Sequence, residues 1–186
     1  MELRRLILVT AGVLGVVGLI QGAVFALVDD GLHREPSFLG VIVTVQAIGS
    51  IAGGLSAGGV IRRIGERRAA GAGLLACGLG LGLLPIATLP TVAVVIGVGL
   101  TVFLVAYSTL MQRMTAPEMQ GRVFAAGEAV TSLPFTLSIG IGAVLVALVS
   151  FRLLYAVCAA GTALVSLMLF VGTRAPAAMV ADESVV

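Results

Sequence analysis

Apolar residues in this chain occur in long blocks, and polar residues are concentrated in the short segments between them. Six blocks of mostly apolar residues follow one another along the 186 residues. A helix needs about 20 such residues to cross the hydrocarbon core of a bilayer. No block shows the alternation of apolar and polar residues that is typical of a membrane strand. We therefore predict an all-α membrane protein with transmembrane helices over residues 6–28, 38–60, 70–86, 91–111, 123–149 and 151–171.

The composition supports one transmembrane bundle over residues 1–174, followed by a disordered cytoplasmic tail over 175–186. Of all residues 59% are hydrophobic and 11% are charged, with a mean hydropathy of +1.18, whereas a soluble domain is roughly 25% charged. The net charge of +2 does not build a basic face, because the arginines lie in short loops. Nucleic acid is therefore excluded as a partner, and the lipid bilayer is expected as one.

The sequence contains no arrangement typical of an enzyme, a metal site or a cofactor site. Cys77 and Cys158 lie in separate apolar blocks without metal-ligand spacing. Ser56 stands in a GxSxG pattern, but His33, the one histidine, falls near the opposite membrane face and cannot activate it. We predict no catalytic activity, no cofactor and no bound metal.

The arginines predict the orientation of the helices. Only Arg34 and Arg152 lie on one side, and nine lie on the other: Arg4, Arg5, Arg62, Arg63, Arg67, Arg68, Arg113, Arg122 and Arg174. Because cytoplasmic loops carry the excess of positive charge, both termini are expected in the cytoplasm, with the protein in the inner or plasma membrane of the cell. The loops are short, which predicts that consecutive helices are antiparallel neighbours.

Glycine is abundant, with 25 copies, and some of them form GxxxG pairs within the apolar blocks. Such pairs allow two helices to approach closely. Tight packing inside the bundle is one interpretation, and a sliding or dimerising surface is the other. Three such pairs are Gly18 with Gly22, Gly54 with Gly58, and Gly78 with Gly82.

Strongly polar side chains are unevenly distributed among the predicted helices. The third and sixth helices hold mainly cysteine, serine and threonine as polar residues, with one tyrosine, whereas the other four hold glutamine, glutamate and further hydroxyl groups. Polar groups inside a membrane mark functional pathways. We therefore expect the first, second, fourth and fifth helices to line a cavity and the third and sixth to face lipid. The candidate substrate or proton pathway comprises Gln21, Gln46, Tyr107, Glu128 and Thr131.

Glu128 is the one acid deep inside a predicted span. It follows Arg122 by six residues, which is about 9 Å along a helix. Hydrocarbon favours the protonated form of a carboxyl group, so proton coupling or substrate contact is one interpretation. A carboxylate hydrated from the cytoplasm, or paired with a loop arginine, is the alternative.

The two cytoplasmic loops have recognisable local patterns. Four arginines occur within GGVIRRIGERRAAG, residues 58–71. In the loop MQRMTAPEMQGR, Thr115 and Glu118 are spaced as a capping box with Pro117 in the first turn. An i,i+4 pair of Glu118 with Arg122 would extend that helix start. The fifth helix is therefore expected to begin before it enters the bilayer.

The first loop resembles the signature loop of the major facilitator superfamily, which reads approximately G-x-x-x-D-R-x-G-R-R. Arg62 replaces the acid of that pattern, Glu66 replaces a basic residue and Arg68 extends the basic run, while the matches are Gly58, Arg63, Gly65 and Arg67. The second loop is similar to one in enterobactin exporters and macrolide efflux proteins, through Gln112, Pro117, Glu118, Gly121, Arg122, Val123 and Phe124. The loop spacing is that of the C-terminal six-helix half, a 3+3 inverted repeat.

This resemblance implies a secondary-active transporter, present here as a half or a fragment. It would export small molecules such as drugs or siderophores, coupled to protons, by alternating access. A second six-helix half would be needed in the same chain, in another chain or as a second copy. The gating residues implied are Gly58, Arg62, Arg63, Gly65, Arg67, Arg68, Glu118, Gly121 and Arg122. The alternative is a membrane scaffold or assembly partner that does not transport.

Overall fold

The computed structural model describes residues 2–26, 28, 35, 37–83 and 89–171, and most of these residues are helical. The predicted tail, Arg34, Arg174, His33, residue 27 of the first predicted span and residues 84–86 of the third lie outside the described residues. The α-helices are α1 (Glu2–Ala26), α2 (Phe38–Ile64), α3 (Glu66–Leu83), α4 (Leu89–Arg113), α5 (Gln120–Leu148) and α6 (Phe151–Val171), with a 3₁₀ turn at Pro117–Met119.

Four stretches in the described ranges are long and apolar enough to cross a membrane. They are Ile7–Val24, Phe38–Ile64, Pro90–Arg113 and Pro117–Leu148, and Arg152–Leu167 is a shorter apolar helix. The first turn of α3 carries Glu66, Arg67 and Arg68, which leaves this helix a shorter apolar stretch than its neighbours.

The connection between α2 and α3 is a single glycine. Because α2 continues through Ile64, Arg62 and Arg63 lie in its last turn, and α3 starts at Glu66. Gly65 between them has φ +82°, a conformation that side chains other than glycine rarely adopt. The basic segment is therefore two helix ends joined at Gly65 rather than an extended loop.

The closest helix contacts join two parallel pairs, α1 with α5 and α2 with α4. On α1, a Cβ atom at Gly18 would lie 2.5 Å from the Phe135 carbonyl oxygen. On α2, a Cβ atom at Gly53 would lie 2.8 Å from the Val98 carbonyl oxygen. Gly142 of α5 and Gly97 of α4 contact the facing backbone as closely. The helix backbones touch at these positions because the glycines have no side chain.

These pairs correct the expectation that all consecutive helices are neighbours, because among the described residues α3 with α4 is the one consecutive pair in extensive contact. The register of the contacts makes consecutive helices antiparallel, as predicted, but α1 packs on α5 and α2 on α4. Short loops fix the direction of the next helix, whereas the glycine faces select its partner. Among the described residues the main contacts order the helices as α5, α1, α6, α3, α4, α2.

The GxxxG pairs differ in what they contact. Gly18 and Gly22 face α5, and Gly78 and Gly82 face Ala159 of α6. A Cβ atom at Gly54 would lie 3.8 Å from the Thr101 methyl group, and one at Gly58 would meet no atom within 4 Å. The α2 face that approaches α4 most closely is instead built from Gly49 and Gly53, a pair that the sequence analysis did not single out.

The expectation that the third helix faces lipid is wrong, because α3 is buried along much of its length. Its small residues allow α4 to pack closely on one side, where Gly73 contacts Phe103. They allow α6 to pack on the other side, where Gly78 contacts Thr162. The Ser166 hydroxyl of α6 donates a buried hydrogen bond to the Gly71 carbonyl at 2.8 Å. A helix poor in polar groups can be a core helix as well as a lipid-facing one.

Two buried clusters hold the bundle together around α3. One lies towards the end that carries Arg62, Arg63, Arg67, Arg68, Arg113 and Arg122, hereafter the arginine-rich end, and it contains Leu74 and Phe103. The other lies towards the opposite end and contains Leu81, Tyr155 and Cys158. By contrast, only 11% of the α2 span and 11% of the Pro117–Leu148 span are buried, so these helices expose most of their surface.

A salt bridge joins α3 to α4 at the arginine-rich end. The Arg113 guanidinium lies 2.8 Å from the Glu66 carboxylate, with the glutamate side chain 18% exposed and the arginine 70% exposed. The pair holds the start of α3 against the end of α4. The acidic partner, Glu66, is the residue that replaces a basic residue of the signature loop.

Substitution of Gly142 by alanine is expected to destabilise the α1–α5 contact. The new Cβ atom would lie 2.9 Å from the Leu19 Cα atom, and overpacking of this kind costs about 1–3 kcal/mol. Gly140→Ala is the matched control, because a Cβ atom there meets nothing within 4 Å. Thermal unfolding of the purified protein followed by circular dichroism should show a lower midpoint for Gly142→Ala only; equal midpoints would contradict the packing.

Charge reversal tests the Glu66–Arg113 pair. Glu66→Arg is expected to lower the unfolding midpoint by placing two cations together, and the double variant Glu66→Arg with Arg113→Glu is expected to restore it. The coupling free energy should be below about 1 kcal/mol, because exposure and salt weaken such pairs, and it should fall at high salt. A double-mutant cycle with no coupling at low salt would contradict the ion pair.

Candidate functional site

A cavity of about 490 Å³ lies between α1, α2 and α4, in the half of the bundle away from the arginine-rich end. Gln21 of α1 and Gln46 of α2 both line it, and Cys77 of α3 and Tyr155 of α6 line it as well. Two of the five predicted pathway residues are therefore brought together. Helix α5 contributes no residue to the described lining.

The cavity wall is mainly aliphatic. Valine, leucine, isoleucine and alanine side chains from α1, α2 and α4 surround the two glutamines, and no described lining residue is charged. The Ser50 hydroxyl lies 3.5 Å from the Gly97 carbonyl, across the α2–α4 contact. The structure gives neither glutamine amide a hydrogen-bond partner among the described residues, so both remain available to a bound molecule.

Tyr107 and Glu128 form a second group, nearer the arginine-rich end. The Tyr107 hydroxyl approaches α5, where a Cβ atom at Gly127 would lie 3.6 Å from it, and it interacts electrostatically with the Glu128 carboxylate. The Tyr107 ring stacks on Phe103 with a centroid separation of 6.3 Å. Neither residue lines the cavity. The predicted pathway residues therefore form two separate groups rather than one site.

Thr131 is oriented differently from the other pathway residues. It is buried, and its hydroxyl lies 2.9 Å from the Gly127 carbonyl and 3.2 Å from the Glu128 carbonyl. Hydroxyl groups in membrane helices commonly donate to their own backbone in this way. The Thr131 hydroxyl is therefore engaged within α5.

One side of α5 carries an exposed polar flank formed by Glu128, Ser132 and Thr136. Their spacing of four residues places them on one side of the helix, beside the face where Phe135 and Gly142 contact α1. The sequence analysis named Glu128 as a pathway residue but did not name Thr136. Two successive i,i+4 steps from Glu128, the first of which reaches Ser132, would have found it.

The gating residues predicted from the two loops lie at exposed positions of the arginine-rich end. Arg62, Arg63 and Arg68 are exposed, and Arg67 is half-buried. A Cβ atom at Gly58 or Gly121 would meet no atom within 4 Å. These positions are therefore on the bundle surface and leave space for a neighbouring element.

The predicted capping box at the start of α5 does not form. Pro117 begins a 3₁₀ turn after Ala116, so α5 begins at Gln120 with Met119 preceding it, and neither cap makes a side-chain hydrogen bond. Thr115 is buried instead, with no partner for its hydroxyl in the described part of the chain. Glu118 and Arg122 are both exposed and are not joined by a salt bridge.

Comparison with known proteins gives one match. The family model of the Major Facilitator Superfamily matches residues 6–184. Searches of curated proteins and of solved structures find no match. The matched range covers nearly the whole chain, including both loops, helices α2 to α6 and all but the start of α1. Together with its apolar helices, this match shows that the chain is a multi-pass membrane transporter that belongs to the major facilitator superfamily.

Proposed function

We propose that this chain acts as one six-helix half of a proton-coupled exporter of small molecules, completed by a second half. The observation that carries the proposal is the polar flank of α5. Glu128, Ser132 and Thr136 are exposed on a helix that is predominantly apolar and long enough to span the bilayer.

The energetic cost of this flank in lipid favours a second half. A carboxylate at the centre of a spanning helix costs about 2.5–3.5 kcal/mol on insertion scales, which is an upper bound for Glu128 in the first third of α5, and the two hydroxyl groups add to the cost. Contact with another protein surface, or with water between two halves, removes the penalty. Exposed leucines such as Leu133 and Leu137, by contrast, are compatible with acyl chains.

The helix pairing supports a 3+3 inverted repeat. If α1–α3 and α4–α6 are two repeats, α1 corresponds to α4 and α2 to α5. The α1–α5 contact then corresponds to the α4–α2 contact, and these are the two parallel, glycine-mediated pairs. Corresponding helices run in opposite directions, as an axis in the membrane plane requires.

The separation of the two polar groups suits alternating access. The cavity with Gln21 and Gln46 is towards one end of the bundle, and Tyr107 with Glu128 is towards the arginine-rich end. In our proposal, substrate contacts the glutamines, while Glu128 binds and releases the proton with Tyr107 beside it. Thr131 positions this part of α5 through its bonds to the backbone.

The arginine-rich end would act as the gate. Arg62, Arg63, Arg67, Arg68 and Arg122 would contact helix ends of the second half when the cytoplasmic side is closed, with Glu118 beside them. Gly58, Gly65 and Gly121 permit the close approach, since a Cβ atom at each meets nothing within 4 Å. The export direction, the drug or siderophore class and the cytoplasmic termini rest on the loop resemblance and on the arginine distribution.

The role of Glu128 is tested by neutralising it in the complete two-half complex in vesicles. Glu128→Gln keeps the shape of the side chain but cannot exchange a proton, so export of fluorescent drugs driven by a pH gradient should fall to background. Downhill exchange of the same drugs should persist. Glu35→Gln is the control, because Glu35 is an exposed carboxylate outside the helices.

Undiminished coupled export by Glu128→Gln would remove Glu128 from the mechanism. If this chain assembles with its second half but neither the wild type nor Glu128→Gln moves substrate, the result would instead favour the scaffold function.

A further inference from the structure

We infer that the cavity between α1, α2 and α4 is a binding site for a neutral, largely apolar small molecule that carries one or two hydrogen-bonding groups. This inference rests on the proposed transporter function and names the substrate class for it. The site lies within this one bundle, and Glu128 is not part of it.

The size of the cavity is appropriate for a small molecule. Its volume of about 490 Å³ falls within the roughly 300–1,000 Å³ of small-molecule pockets. Three helices supply the walls, and Cys77 and Tyr155 close the side towards α3 and α6. Both of these residues are buried in the core cluster of that half, so this side of the cavity is a fixed surface.

The charge of the lining determines the class of ligand. No lining residue in the described part of the chain is ionisable near neutral pH. A ligand cation or anion buried here would lose its hydration without gaining a partner of opposite charge, which is strongly unfavourable. The aliphatic walls favour an apolar body, whose burial is favourable in proportion to its area.

The two glutamines determine the polar part of the ligand. Gln21 and Gln46 come from different helices, and the structure shows no hydrogen bond from either amide to a described residue. Each amide offers two donors and one acceptor oxygen. A neutral hydroxyl, carbonyl or amine group between them would therefore be recognised whether it donates or accepts.

The test uses two dyes that share a skeleton and differ in charge. N-phenyl-1-naphthylamine is neutral, and 1-anilinonaphthalene-8-sulfonate is its anionic relative. The chain contains no tryptophan, so Val41→Trp, at an exposed α2 position outside the lining, provides a single donor for energy transfer. Saturable transfer to the neutral dye is expected in the purified protein in nanodiscs, with little transfer to the anion.

Matched substitutions on α2 assign this transfer to the cavity. Ala47 lines the cavity and Ala52 does not, although both are exposed. Ala47→Leu, placed in the Val41→Trp protein, should fill the space and weaken binding at least about tenfold, a difference of ~1.4 kcal/mol, whereas Ala52→Leu should leave it unchanged. Gln46→Leu, which retains the volume, should weaken binding of the neutral dye as well.

Equal, non-saturable transfer in Ala47→Leu and Ala52→Leu would overturn the inference, because the dye would then lie in lipid. Equal affinity for the anionic dye would overturn the neutral class. If dye binding fails while Glu128-dependent export by the two-half complex persists, the inference fails and the proposed function stands. If the cavity binds the dye but the complex does not transport, the transport proposal fails and the binding site remains.

Discussion

The close approach of helix backbones at glycine determines most of this structure. Gly18, Gly22 and Gly142 bring α1 against α5, and Gly49, Gly53 and Gly97 bring α2 against α4. In a membrane the hydrophobic effect does not drive helices together, and van der Waals packing at small residues stabilises their association instead. Apart from the consecutive pair α3 and α4, whose contact also contains glycines, the helices therefore pair by their glycine faces rather than by their order along the chain.

This pairing places the polar groups. In the contact order α5, α1, α6, α3, α4, α2, helices α5 and α2 come first and last, and α6 and α3 lie in the middle. The α1–α5 contact takes up one side of α5 and leaves its polar flank uncovered, and the gap between α1 and the α2–α4 pair becomes the cavity. The same contacts that stabilise the bundle thus create two separate polar regions, one towards each end.

Much of the helical architecture could be predicted from hydropathy and charge. Long apolar blocks leave helix as the only structure that satisfies the backbone in lipid, and the basic residues among the described positions gather mainly at one end. Grouping Gln21 with Gln46 was also possible, because polar residues in apolar helices converge on shared cavities. The family followed from residues at fixed spacing in the two loops, which the match over residues 6–184 supports.

Other features could not be predicted, for identifiable physical reasons. The distribution of polar side chains wrongly predicted that α3 faces lipid, because burial of a glycine- and alanine-rich helix depends on its partners and not on its own composition. The capping box failed because Pro117 starts a 3₁₀ turn that shifts the helix start to Gln120. The Glu66–Arg113 salt bridge joins residues far apart in sequence, and it becomes visible only once α3 and α4 are packed.

Accessibility of the α5 flank to lipid tests the central claim most directly. Spin labels on single cysteines at Thr136 of α5 and at Leu164 of α6, both exposed in this bundle, would be compared in the complete assembly in a bilayer, with Cys77 and Cys158 replaced by alanine. Relaxation by dissolved oxygen reports contact with acyl chains. We predict strong relaxation at position 164 and weak relaxation at 136. Equally strong relaxation at both positions would mean that the flank faces lipid, and it would contradict the account.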